Sequence, residues 1–213
     1  MKHIFIINPA AGKGKSEKVL LPRIIETSKR LGIDYAIHRT LAPGDAGRFV
    51  SRSCAENESG LNADHMPDKL RFYSCGGDGT LNEVVNGAYG HQNVEIAMIP
   101  AGTGNDFPRN FRHPKAFEEI EGQIFGQARP IDIIRYQQTG TDNQPASAAG
   151  YGVNMFNIGL DCNVVDLAAD LKTHPFVPGL LAYGLGVCIV LGKKEGVNLE
   201  IRFDDGEIHK GDF

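Results

Sequence analysis

The chain has 213 residues, 41% of them hydrophobic and 23% charged, with a formal net charge of −4 at pH 7. These values fit a globular protein long enough to bury a substantial core, in one large domain or two small ones, and they exclude a disordered chain. They also argue against a nucleic-acid partner, because affinity for a phosphate backbone needs concentrated Lys and Arg and no sustained basic block occurs.

Residues 2–7 are continuously apolar after Lys2 and His3, which predicts a strand buried on both faces in a parallel sheet. The loop that follows, Asn8-Pro9-Ala10-Ala11-Gly12-Lys13-Gly14-Lys15-Ser16, is a candidate phosphate loop. A P-loop would need glycine where Pro9 stands, and a GxGxxG turn would need glycine where Glu17 stands, so neither motif is met. On its residues alone the loop is equally a tight strand-to-helix turn. From 16 to 31, Val19, Leu20, Ile24, Ile25 and Leu31 recur at helical spacing opposite a charged face, and Gly32 ends the helix. Residues 34–39 form a second strand with Thr40 at its exit, 45–55 a short helix, and 56–69 a polar surface loop in which His65 has no assigned role.

A third strand over 70–75 runs into Gly76-Gly77-Asp78-Gly79-Thr80 and a helix that extends to Ala88. Glycines at such a turn let backbone N–H groups converge, and a helix N-terminus adds about half a positive charge. That is a seat for phosphate. Asp78 would repel a phosphate unless a divalent cation or a proton lay between them, so its presence points to Mg²⁺ chemistry or proton transfer. Thr80 and Glu83 also fit the spacing of a capping box. A fourth strand, 94–100, leads into a third glycine turn, Ala101-Gly102-Thr103-Gly104-Asn105-Asp106-Phe107. Thr103 and Asn105 are candidate nucleotide contacts, and Asp106 is assigned to capping the helix that begins at Phe107. Three turns that each leave the carboxyl end of a strand predict an open parallel sheet with one shared ligand site.

Residues 115–126 read as a helix, after which 129–136 and 151–160 alternate like exposed-face strands on either side of a polar loop. The expected division is therefore a nucleotide-binding α/β domain over 1–128 and a β-rich domain over 129–213. The stretch 176–191 is the most apolar, but Pro178, Gly179, Gly184 and Gly186 interrupt it and it is shorter than the roughly 20 residues of a spanning helix. It reads as a core helix of the second domain or as a lipid contact with Lys193 and Lys194 at the interface. Residues 197–213 form a hairpin around Asp204-Asp205-Gly206. Cys54, Cys75, Cys162 and Cys188 are scattered without a CxxC pair, and the chain enters its first strand without a secretory signal, which predicts a reduced, cytoplasmic protein.

Residues 76–87, GGDGTLNEVVNG, resemble the signature of the diacylglycerol kinase catalytic domain, which bacterial lipid kinases, sphingosine kinases and ceramide kinases share. The GGDGT core also occurs in NAD kinases and 6-phosphofructokinases. The ordered addition of NPxxGxG at 8–14 and GTxNDF at 102–107 is specific to the former family. The resemblance implies an ATP- and Mg²⁺-dependent lipid kinase that transfers the γ-phosphoryl group to a lipid hydroxyl in a cleft before a β-sandwich. It implies nucleotide contacts from Asn8, Pro9, Ala10, Ala11, Gly12, Thr40, Gly76, Gly77, Gly79, Thr80, Leu81, Asn82, Glu83, Gly102, Thr103 and Asn105. Asp78 would be the catalytic residue and a metal ligand, while Asp106 and Asp161 would lie on the substrate side. Asp161, in an N-x-G-x-D stretch, equally fits a helix cap, and Asn163 stands where the family often has an acid. The implied setting is the cytoplasm, with peripheral contact at the inner membrane face, a lipid substrate and no transmembrane segment.

Family members are longer, with a further metal loop and an acidic base after the hairpin. The chain is accordingly expected to be a fragment with incomplete catalytic equipment, and its open sheet edge predicts self-association or poor solubility. The alternatives are an NAD kinase-like small-molecule kinase and a non-catalytic nucleotide-binding regulatory module.

Overall fold

Continuous apolar runs become the central strands of a four-stranded parallel sheet. In the computed structural model, residues 1–59, 67–137, 149–155, 189, 198–202 and 206–212 are described. The strands are β1 (Lys2–Ile7), β2 (Tyr35–Arg39), β3 (Leu70–Gly76) and β4 (Val94–Pro100), in the order β2-β1-β3-β4. Every pairing is parallel, with Phe5 opposite Ile37 on one side and Tyr73 on the other.

β1 lacks alternation because both faces of the sheet are covered. Ile4 and Ile6 pack with Phe72 against Ala46, Val50 and Cys54 of α3 (Asp45–Glu58) and Val84 and Ala88 of α4 (Asp78–Ala88). Phe5 and Ile7 face the other way, onto Leu20 and Ile24 of α2 (Ser16–Leu31) and Ile120 and Ile124 of α6 (Ile120–Phe125). Gly32 closes α2 in the left-handed region (φ 63°) and its N–H returns to the last turn, as the glycine predicted. Cys54 and Cys75 are buried free thiols, and burial pushes Cys54 up to about 11.

Two helix boundaries differ from the expectation, and the antiparallel pairing expected after residue 129 is present. Helix α3 runs three residues past Ala55, because its last turn is tied from outside: Asn57 donates to the Asp68 carbonyl, and Glu58 accepts from His91 and the Gln92 N–H. The predicted helix over 115–126 is broken at Glu119 into a 3₁₀ segment (Pro114–Glu118) and α6. Of the alternating stretches, β5 (Ile134–Tyr136) and β6 (Gly150–Gly152) pair as a short antiparallel ribbon. Its anchor is Asn86, whose side-chain amide donates to the Tyr151 carbonyl and accepts the Tyr151 N–H (2.7 and 2.9 Å), like an extra strand partner.

Two compact units partition the chain, Met1–Asn154 and Met155–Phe213. The first holds the sheet, its helices and the β5–β6 ribbon. In the second, β7 (Asn198–Arg202) and β8 (Ile208–Asp212) form the expected antiparallel hairpin. His65, Asp161, Cys162, Cys188, Lys193, Lys194 and all of 176–191 except Ile189 lie outside the described residues.

One polar group in the core has a large expected effect. Arg71 on β3 is 6% exposed; its guanidinium donates to Glu95 (2.7 Å) and to the carbonyls of Gln123 and Ile124 that end α6. Burial opposes ionisation of Glu95, but hydrogen bonds from Lys69 and Arg71 hold its carboxyl below the ordinary value of 4.5. Its stabilisation is therefore complete above the ordinary carboxylate range and is lost as pH falls through the lowered folded value. Glu95→Gln leaves a buried guanidinium without a counter-charge and is expected to cost about 3–5 kcal/mol in urea unfolding at neutral pH. A loss below about 1 kcal/mol would class the pair with exposed ion pairs.

Candidate functional site

At the carboxyl ends of β1, β3 and β4 the chain turns three times around one cavity of about 680 Å³. After β1, Asn8 turns the backbone: its Oδ1 accepts the Ala10 N–H and its carbonyl accepts the Ser16 hydroxyl (3.0 and 2.6 Å). A single helical turn follows, α1 (Ala11–Gly14), in which Gly12 and Lys13 take left-handed backbone angles. A Cβ on Gly12 would lie 2.8 Å from the Ala101 carbonyl oxygen, so glycine there lets the first loop touch the third.

The second turn joins the first and the third. Asn8 Nδ2 donates to Thr80 Oγ1 at 3.0 Å. Gly77 and Gly102 pass so closely that a Cβ on Gly102 would lie 2.5 Å from the Gly77 Cα. No side chain caps α4, so the N–H groups of its first turn remain available beside the cavity that Gly77, Asp78, Gly79 and Thr80 line. The capping box expected of Thr80 and Glu83 is therefore not formed. Thr80 bonds Asn8 instead, and Glu83 reaches across to α3, accepting the Gly44 and Ala46 N–H groups at 2.8 and 3.1 Å.

Asp78 ties the third turn down. Its Oδ1 accepts the N–H groups of Asp106 and Phe107 (2.9 and 3.2 Å), which cap the single turn α5 (Asp106–Arg109). The capping role expected of Asp106 thus belongs to Asp78, and the Asp106 carboxylate pairs with Arg109 at 2.6 Å. Asp78 Oδ2 is left facing Gly104, where a Cβ would sit 3.1 Å away.

Of the residues expected to hold nucleotide, Asn8, Pro9, Ala10, Ala11, Gly12, Thr40, Gly77, Gly79, Thr80, Glu83, Gly102 and Thr103 line this cavity together with Asp78. Four others lie elsewhere. Gly76 is buried beneath Thr80, Leu81 is 3% exposed in the core, Asn82 is exposed and bonds Asn86, and Asn105 folds its amide onto both backbone groups of Gly102. The expectations for Asp161 lie outside the described residues. Lys13 and Gly104, which the sequence marks only as members of the first and third glycine loops, also line the cavity, as does the segment Leu41, Ala42, Pro43, which it does not mark at all. Lys13 was legible as the cation inside the first glycine loop, whereas nothing local marks 41–43.

The donor set fits a phosphate chain: glycine backbone at close approach, an uncapped helix N-terminus, the Thr103 hydroxyl and the Lys13 ammonium. Among the described residues no group of three or more His, Cys, Asp or Glu side chains is placed to hold a metal. One free carboxylate oxygen, on Asp78, matches the way Mg²⁺ is commonly held by one or two carboxylates and the phosphates of a nucleotide.

Comparison with known proteins identifies the family of the chain. A family model described as the diacylglycerol kinase catalytic domain matches residues 2–136. A diacylglycerol kinase of Bacillus subtilis (strain 168) is 31% identical over 212 residues, aligning 98% of this chain with 61% of that protein. One from Staphylococcus carnosus (strain TM300) is 29% identical over 211 residues, aligning 98% with 60%. The crystal structure of a diacylglycerol kinase from Bacillus anthracis str. Sterne superposes with a TM-score of 0.56 at 22% identity, over 99% of this chain and 61% of that one, a likeness of fold. The chain thus spans about three-fifths of the length of these relatives, 60% and 61%.

Proposed function

The chain belongs to the diacylglycerol kinase catalytic domain family, and on that premise we propose that it binds ATP in the three-loop cavity and transfers the γ-phosphoryl group to a lipid hydroxyl. The observation that carries the reading is the mutual contact of the three turns, Gly12 on Ala101 and Gly77 on Gly102, around one amide-rich cavity.

Bound magnesium nucleotide would supply the phosphoryl group and neutralise charge as it leaves. The chain's contribution is then positioning and electrostatics. The first-turn N–H groups of α4 bind phosphate oxygens, assisted by the positive end of the helix. Gly12, Gly77 and Gly102 keep the backbone close enough for those bonds, Thr103 donates its hydroxyl, and Lys13 offsets negative charge. Asp78, through Oδ2, holds the metal ion or takes the proton of the acceptor hydroxyl, and both roles need the ionised carboxylate.

The lipid acceptor places the reaction at a membrane surface, which in this reading is the cytoplasmic face. No helix among the described residues is long and apolar enough to cross a membrane. Incubation of this chain, and of a version extended to the length of its relatives, with γ-labelled ATP, Mg²⁺ and mixed micelles of diacylglycerol, beside parallel reactions with NAD, is expected to label the lipid in the extended version and to leave NAD unlabelled in both. Label in NAD would make the protein a small-molecule kinase. ATP binding without label in either acceptor would make it a nucleotide-binding module.

A further inference from the structure

The cavity has two chemically different parts. Glycine backbone, hydroxyl and ammonium groups line it where the turns after β1, β3 and β4 meet, whereas residues 40–43, leaving β2, bring Leu41, Ala42 and Pro43 behind Thr40. Leu41 is 90% exposed, a large apolar side chain at a cavity rim with almost nothing packed on it. A polar, cationic part and an apolar rim match the two ends of a nucleotide, the phosphates and the flat, weakly polar base.

The 40–43 segment is held by little. Its backbone bonds are Thr40 N–H to the Ile7 carbonyl (2.9 Å) and Asp45 N–H to the Ala42 carbonyl (3.2 Å). One side-chain tie, from Asp45, reaches the segment itself, and Glu83 holds the residues that follow it, Gly44 and Ala46. Asp45 Oδ2 accepts the Leu41 N–H (3.1 Å) and meets His38 Nε2 (3.0 Å), and that backbone bond, then His38, keeps the Asp45 carboxyl below its ordinary range. Glu83 accepts the N–H groups of Gly44 and Ala46, one on each oxygen.

Glu83 stands one turn along from Thr80, on the helix whose N-terminus lines the amide-rich part of the cavity. The two helices it links are already in backbone contact, with Gly87 of α4 against the Gly47 carbonyl of α3. We propose that Glu83 is a positioning residue for nucleotide: with both oxygens engaged by α3, it acts through the 40–43 wall, which it holds at a set distance from the phosphate seat to receive the nucleoside. This deepens the kinase reading and rests on it.

The test compares ATP with tripolyphosphate, which lacks the nucleoside, both with Mg²⁺, by calorimetric titration of the protein and of Glu83→Ala, Glu83→Gln and Leu41→Ser. Loss of two hydrogen bonds to a carboxylate is expected to weaken ATP roughly tenfold in Glu83→Ala while tripolyphosphate stays within about twofold. Glu83→Gln should fall between, since its amide keeps one acceptor and turns an N–H against the other donor. In steady-state assays KM for ATP rises and kcat holds. Leu41→Ser, on an exposed side chain that the fold does not need, should show the same split between ligands even if Glu83→Ala unfolds. Equal weakening of both ligands, or of neither, in Glu83→Gln and Leu41→Ser overturns the positioning role and leaves the kinase reading standing. Failure of the unaltered protein to bind either ligand overturns the nucleotide reading, and this inference with it.

Discussion

Asp78→Asn is expected to reduce lipid phosphorylation by a factor on the order of 10²–10⁴ while leaving the fold intact, the range of a lost catalytic acid–base group. The separation of the two effects follows from how the carboxylate is used. One oxygen accepts the N–H groups of Asp106 and Phe107, and an asparagine carbonyl can accept them as well. The other oxygen is the one available for the metal or the proton, and the substitution removes its charge. ATP hydrolysis and label transfer to diacylglycerol should both collapse, with a melting temperature within about 3 °C of the parent. Asp78→Ala is the informative companion. It also strands the two amides that position the third turn, so it should lower the melting temperature as well. Transfer by Asp78→Asn within tenfold of the parent would remove Asp78 from the chemistry.

Gly102→Ala should damage the same site by the opposite route, adding a methyl group where two backbones meet. The new Cβ would lie 2.5 Å from the Gly77 Cα and 2.9 Å from Asn105 Oδ1, so the second and third turns must part or Asn105 must release the Gly102 backbone. Overpacking against backbone costs about 1–3 kcal/mol, because no flexible side chain is there to yield. Nucleotide affinity is expected to fall roughly tenfold, the worth of about one hydrogen bond to a charged group lost when the turns part. Urea unfolding and ATP titration read the two effects separately. Normal stability with normal affinity would mean that the two turns are not held against each other in solution. Gly79→Ala is a control for stability alone, because a Cβ there meets no protein atom within 4 Å while the residue lines the cavity.

The parts of this molecule that were legible in the sequence are those whose physics is local. A strand covered on both faces must be apolar at every position, so Ile4 through Ile7 announced a central parallel strand. Gly32 marked the end of α2, because only glycine takes its left-handed angle without cost. The glycine turns after β1, β3 and β4 were visible for a related reason, since each is a place where a side chain would block the backbone. That they enclose one cavity was implied by parallel strands, whose carboxyl ends lie together.

Roles that depend on a partner distant in the chain were not legible. Glu83 sits at the spacing of a capping box, and local reasoning gave it the helix it belongs to; its amide partners are 37 and 39 residues away, on α3. Asp106 read as a cap for the same reason, yet the cap is Asp78, 28 residues earlier. Arg71, polar in the middle of an apolar strand, gave no sign that Glu95 and the end of α6 would surround it.

The chain's own residues therefore determined the parallel α/β fold, the turns that line the cavity and the family to which the protein belongs, because periodicity and glycine placement act within a few bonds. Tertiary structure alone decided which carboxylate serves which backbone: a charged oxygen bonds the nearest unsatisfied N–H in space, and adjacency in space is created only when the helices pack. The division of labour between Asp78, which braces one turn and keeps an oxygen free, and Glu83, which keeps none, is a product of that packing.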